Sequence, residues 1–207
     1  MSDKGFETAR LSDLERPNGW APIRLRLGVQ AFGINSWTAG EGERLIPEHD
    51  EAPSGHEELY IVVSGRASFT VGGDAVDAPA GTVLFVRDPD ATREAHAAEA
   101  GTTVLVVGGR PGEAYRPRSW ETNAEVLPLF EEGRYEELRA VLLDALDRYE
   151  DRGTVLYNLA CAEAQLGETD AAIEHLTEAL ADEPRLSGNA REDTDLDPIR
   201  GDPRFPG

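Results

Sequence analysis

Hydrophobic residues in the first half of the chain fall in short runs with a two-residue period, and those of the second half recur with a helical one. The runs Val29–Thr38, Leu59–Ser64, Ala67–Val71, Ala75–Ala78, Thr82–Arg87, Thr92–Ala97 and Thr102–Val107 are rich in Val, Ile, Thr and Phe and read as strands. Ser64-Gly65, Gly72-Gly73-Asp74 and Pro79-Ala80-Gly81 separate them as turns, and Gly72-Gly73 predicts a tight hairpin. Short strands at this spacing predict a sandwich or barrel. In the run that His56 opens, His56, Glu58, Tyr60 and Val62 share one face, while Leu59, Ile61 and Val63 take the other. The second face is wholly apolar, so both faces need cover; a second copy of the chain or the helical part folding back would supply it.

Residues 110–119 are polar and interrupted by prolines, and the period changes at Trp120. This divides the chain into a β domain over 1–112 with its core at 29–109, a connection over 113–119, and a helical module over 120–207 that ends in a tail at 193–207. Gly133 and Gly167 are 34 residues apart, and the same offset relates Leu142 to Leu176, Ala145 to Ala179 and Leu146 to Leu180. This helix–glycine–helix period resembles the tetratricopeptide repeat. In the second copy Leu156, Leu159, Ala160, Gly167, Ala172, Leu176, Ala179 and Pro184 match its packing positions. The first copy departs, with Leu138 at a usual alanine position and Glu150 where a proline closes the repeat. Two copies fall short of the three that an independent array needs. Leu196, Ile199 and Phe205 in the tail are expected to cap the last pair, and the resemblance implies contact with a protein partner.

Charge narrows the function classes. The 207 residues carry a formal net charge of −20, and residues 120–207 hold 22 of the 40 acids but only 8 of the 20 bases. Such a field repels nucleic acid and anionic membrane surfaces, and it keeps the protein soluble. Lys4 is the single lysine, which argues against Schiff-base chemistry. The single cysteine, Cys161, permits no internal disulfide, and neither a signal peptide nor a membrane span is read, so a cytoplasmic protein is expected. Cys161 stands among Leu159, Ala160 and Ala162, as a buried and inert thiol would.

Candidate chemistry concentrates between His49 and Gly65. His49, His56 and Glu58 bring two imidazoles and a carboxylate to the start of a strand, which is the donor set of a first-row metal site. The stretch Glu58-Leu-Tyr-Ile-Val-Val-Ser-Gly65 resembles the end of the first cupin motif, and Asp77–Val86 resembles the turn and strand that precede the second. The resemblance covers roughly 29–109 and implies a double-stranded β-barrel, or jelly roll, with its site inside. It also implies a divalent metal (Fe, Mn, Ni or Zn) held by histidines and a glutamate. Here the family's H-x-H element is absent, since His49 and His56 are seven residues apart. The second-motif histidine is replaced near Thr92 or Arg93. His96 is the alternative ligand, but three residues along a strand reverse its facing relative to Arg93.

The sequence therefore presents His49, His56, Glu58, Tyr60 and Arg93 as ligand-binding residues, with His49, His56, Glu58 and His96 as candidate metal ligands. In the first reading the barrel binds a small polar or anionic molecule, Arg93 pairing with it, and the helices make protein contacts or a homodimer. A metal-dependent oxygenase or isomerase is the second. A structural scaffold without chemistry is the third. Trp37, Phe32 and Phe85 are expected in the core, and His175, flanked by Glu174 and Glu178, on the surface.

Overall fold

The computed structural model describes residues 7–206; Lys4 lies outside them. The chain divides into two compact units, one running to Arg116 and the other starting at Pro117.

The first unit opens with the two-residue strand β1 (Trp20–Ala21) and a short helix α1 (Ile23–Leu27). Eight further strands follow: β2 (Gly33–Ala39), β3 (Arg44–His49), β4 (Glu57–Ser64), β5 (Arg66–Val71), β6 (Asp74–Pro79), β7 (Val83–Val86), β8 (Arg93–Ala97) and β9 (Thr102–Gly109). They form two antiparallel sheets, ordered β1-β2-β9-β4-β7 and β3-β8-β5-β6. From β2 onward this is the strand order of a jelly roll, a sandwich whose connections repeatedly cross from one sheet to the other. Antiparallel sheets followed by helices agree with the β-then-α architecture expected from the sequence.

The alternation of β4 sets the core. Tyr60 and Val62 point inward and are buried with Leu45, Phe69, Ala95, Val104 and Val106 from both sheets. The Tyr60 and Phe69 rings meet edge to face across the sandwich, with centroids 5.4 Å apart. The β5–β6 hairpin forms at Gly72-Gly73, whose φ angles of 56° and 89° are those that a two-residue hairpin turn demands.

Several elements differ from the sequence reading. β3 was not anticipated, because Pro47 interrupts it and its register with β8 shifts twice; at the edge of its sheet such a proline is tolerated. The strand expected from Val29 begins only at Gly33, after Gly28 ends α1 in a left-handed conformation. Trp37 packs against the core, but Phe32 and Phe85 are exposed. Phe85 lies on the outward face of the edge strand β7, beneath the guanidinium of Arg87 at 5.3 Å.

The second unit contains α2 (Asn123–Glu131), α3 (Tyr135–Ala145), α4 (Gly153–Leu166), α5 (Thr169–Asp182) and α6 (Leu186–Glu192). Gly133 and Gly167 take positive φ of 65° and 78° at the α2–α3 and α4–α5 turns, where side-chain-bearing residues would be strained. Leu142 and Leu176, and likewise Ala145 and Ala179, are fully buried at equivalent places in the two helix pairs. Leu196 and Ile199, in a 3-10 helix at Thr194–Ile199, are buried against Leu156, Tyr157 and Ala160, and Phe205 packs on the same cluster. Cys161 is buried there too, and burial pushes its thiol far above the ordinary range. Among the described residues no helix is long and apolar enough to cross a membrane.

Candidate functional site

Four side chains meet at one end of the jelly roll. His49 ends β3 directly opposite Arg93, which starts β8. Glu58 enters from β4 in the other sheet, opposite Gly108, and Tyr60 follows it on the same inward face. Gly108 lies alongside Glu58, where an added methyl group would make an ordinary contact with Glu58 Cγ at 3.4 Å.

Glu58 is buried and is the centre of the cluster. Tyr60 Oη donates a short hydrogen bond to its Oε2. The same oxygen lies 3.5 Å from His49 Nε2 and 3.5 Å from Arg93 Nε. Burial pushes the carboxyl upward, but His49, Tyr60 and Arg93 outweigh it, and Glu58 titrates below its ordinary value. The Tyr60 hydroxyl is driven the other way, first by burial and then by the Glu58 charge. It remains a donor at physiological pH.

His49 carries the chemical interest. Its Nδ1 lies 2.7 Å from the Pro47 carbonyl oxygen, and a carbonyl only accepts, so Nδ1 holds a proton. In the neutral ring the Nε2 lone pair then faces Glu58 Oε2, with Glu51 Oε1 at 3.9 Å. Lone pairs so arranged repel unless a proton or a cation stands among them. Burial disfavours the imidazolium, yet Glu58, the Pro47 carbonyl and the charge of Glu51 raise the His49 pKa above its ordinary value.

Glu51 is the member the sequence reading missed. It stands two residues beyond His49, in the loop between β3 and β4, and donor atoms of His49, Glu51 and Glu58 lie within 4.8 Å of one another. That loop is well anchored: the Glu51 amide donates to the Pro89 carbonyl at 2.8 Å, the Gly55 amide donates to the Glu51 carbonyl at 2.7 Å, and Ser54 Oγ donates to the Glu51 carboxylate. The only sequence signal was the His49-x-Glu51 spacing itself.

His56 and His96 lie outside this group of four, and Arg93 is its most enclosed member. His56 precedes β4, so strand alternation does not reach it; its Nδ1 is 3.7 Å from Glu51 Oε2, and its ring lies 5.6 Å from that of Tyr115. The Arg93 side chain is wholly enclosed and directs its terminal nitrogens to the Pro89 and Asp88 carbonyls at 3.4 and 3.3 Å. Its Nε lies 3.5 Å from Glu58 Oε2, within the cluster. His96 points outward, half exposed, beside Glu94 at 3.8 Å. In the helical unit His175 is half-buried rather than solvated: it pairs at 2.7 Å with the fully buried Glu163.

Fold and site together define a jelly roll with a histidine–carboxylate cluster at one end. The structure is similar to a cupin protein from Bacteroides fragilis (TM-score 0.44, 20% identity, covering 54% of this chain and 92% of that one). It is also similar to a predicted oxalate decarboxylase from Thermotoga maritima (TM-score 0.41, 19% identity, 49% of this chain and 97% of that one). A third likeness is to a cupin-superfamily sugar phosphate isomerase from Silicibacter pomeroyi (TM-score 0.41, 18% identity, 50% of this chain and 76% of that one). No family model matches the sequence, and no curated protein matches it.

Proposed function

We propose that the β unit binds a divalent cation through His49, Glu51 and Glu58 and uses it to hold a small polar or anionic ligand. The observation that carries this reading is the convergence of His49 Nε2 with two carboxylates while Nδ1 is held by Pro47. Fixing one imidazole nitrogen on a carbonyl is how a protein aims the other at a metal. One imidazole and two carboxylates suit Mn, Fe or Zn, in line with borderline and hard donor preferences. A bound cation would supply Lewis acidity and an attachment point for an oxygen-bearing ligand. The chain's own groups would do the rest: Tyr60 and Arg93 keep Glu58 ionised and oriented, and His56 steadies Glu51.

A metal-dependent enzyme is the second reading. It is favoured by His49 itself, an accessible imidazole with raised basicity beside a carboxylate of lowered basicity, which is the arrangement of a general acid–base pair. The helical unit, with glycine turns 34 residues apart and equivalent residues equally buried, is read as a tetratricopeptide-like pair for protein contact.

Elemental analysis of the purified full chain, followed by calorimetric titration with Mn²⁺ and Zn²⁺, tests the cation site. Close to one ion per chain is expected, lost in His49→Ala and Glu58→Gln and retained in His96→Ala. A metal-free protein that shows no saturable uptake of either ion would overturn the reading and leave Glu58 and Arg93 as a self-neutralised structural pair.

A further inference from the structure

The segment that follows β9 sends one aromatic ring against His56, at the end of the loop that carries Glu51. Its one half-buried aromatic, Tyr115, sits just ahead of the boundary at Arg116 and Pro117. Three elements grip this ring. His56, from the loop that carries Glu51, faces it with centroids 5.6 Å apart and planes inclined by 32°. The Arg24 guanidinium, on α1, stands over it at 5.5 Å. Gly33, the first residue of β2, lies so close that an added methyl group would meet Tyr115 Oη at 2.9 Å and the ring carbons at 3.0–3.1 Å. From His56 the path to the cluster is short. His56 Nδ1 is 3.7 Å from one oxygen of Glu51, and the His56 amide donates to Ser54 Oγ, which itself donates to Glu51.

We infer that Tyr115 is a positioning residue that fixes Glu51 through His56, and so ties the geometry of the cation cluster to the segment leading into the helical unit. The physical reasons are two. The loop from Asp50 to His56 contains no regular strand; the Glu51 amide ties it to the Pro89 carbonyl, and the stretch from Ala52 to His56 is shaped by hydrogen bonds within the loop and by what packs on it. The ring is large, rigid and cheap to order, so it transmits displacement of its backbone where a flexible side chain would absorb it. A partner that pulled the chain at residues 116–117 would draw this ring from its seat, and the loop would loosen. Regulation of the barrel by whatever binds the helices then needs no second site in the barrel. The link from Tyr115 to the loop stands on the ring contact with His56; only its consequence for the cation rests on the function proposed above.

The test uses the full chain and two readouts. Hydrogen exchange at the Glu51, Ser54, Gly55 and His56 amides reads the loop without any ligand. Tyr115→Ala is expected to speed that exchange about tenfold while amides of β8 keep their rates. Gly33→Ala should do the same by pushing the ring away without altering it, since Gly33 has ordinary strand backbone. Tyr115→Phe, which keeps the ring, should stay within about twofold of the parent. Unchanged exchange in Tyr115→Ala, or a Tyr115→Phe protein that behaves like it, overturns the positioning role. The second readout is Mn²⁺ affinity, expected to fall about tenfold in Tyr115→Ala and Gly33→Ala. A parent chain that binds no Mn²⁺ refutes the cation reading, and the exchange rates still decide the role of Tyr115.

Discussion

Removing the His175 imidazole is the sharpest available test of how the helical unit is held together. Glu163 lies on α4 with no exposed surface, and its Oε2 is 2.7 Å from His175 Nδ1 on α5. Its Oε1 is 3.4 Å from Arg139 Nε on α3, and Arg139 also reaches Glu168, at the α4–α5 turn, at 3.1 Å. The carboxylate thus joins three helices. His175→Ala deletes its best hydrogen bond, and a hydrogen bond to a charged group contributes about 1.5–3 kcal/mol. Losing one partner of a buried pair costs about 3–5 kcal/mol when nothing replaces it. Arg139 remains close, and 23% of the His175 side chain is exposed, so the lower range applies: about 2–3 kcal/mol. For a unit of this size each kcal/mol moves the melting temperature by about 4–8 °C, so a drop of about 8–24 °C is expected. Circular dichroism at the helical minimum reads it.

The pH dependence gives this prediction its sign. The hydrogen bond to Glu163 raises the His175 pKa above its ordinary 6.5, burial opposes, and the charges of Glu163, Glu174 and Glu178 add to the rise. A raised folded-state pKa contributes stability that is fully present below the unfolded value and is lost as pH climbs through the folded one. The gap between parent and His175→Ala should therefore be widest below pH 6.5 and narrow as the pH rises past the folded pKa. It does not close entirely, because neutral histidine still donates to Glu163. A gap that is constant from acid to alkaline pH, or that widens with pH, refutes the charged pair.

Two further outcomes bear on the β unit. Arg93→Met should destabilise it by about 2–3 kcal/mol in urea, because the buried Glu58 carboxylate loses its guanidinium neighbour while Tyr60 and His49 remain beside it; adding Glu58→Gln should recover part of that loss, and a double variant as unstable as the sum of the singles would show that the two do not interact. Gly65→Ala should cost about 2–4 kcal/mol, since Gly65 has a φ of 70° and a methyl group there would sit 2.8 Å from Thr102 Cα, whereas Gly72→Ala, at φ 56° with open space around it, should cost only about 1–2 kcal/mol. Equal losses at the two glycines would remove the steric reason for Gly65.

How much of this was legible in the sequence depended on whether a residue's neighbours lie in a regular ladder. On β8 the ladder with β5 is regular, and the parity argument that only one of Arg93 and His96 looks inward holds: Arg93 is enclosed and His96 is half exposed. The paired glycines at 72–73 announced their hairpin because positive φ at two successive positions is a local requirement. On β3 parity fails. Leu45 and Ile46 are adjacent and both buried, and the register slips again before His49, so no counting along the strand could orient that imidazole. Glu51 lies beyond the strand end and owes its position to a backbone bond with Pro89, a residue far away in sequence. His175 shows the same limit in a helix. Its sequence neighbours are Glu174 and Glu178, which suggest a solvated face, while the residue that decides its role, Glu163, belongs to another helix and meets it only when α4 and α5 pair. In each case the misplaced residue was one whose partner is supplied by an irregularity or by tertiary packing. Bulges and loop anchors re-aim side chains away from the repeating faces of a scaffold, and this is where His49, Glu51 and Glu58 come together.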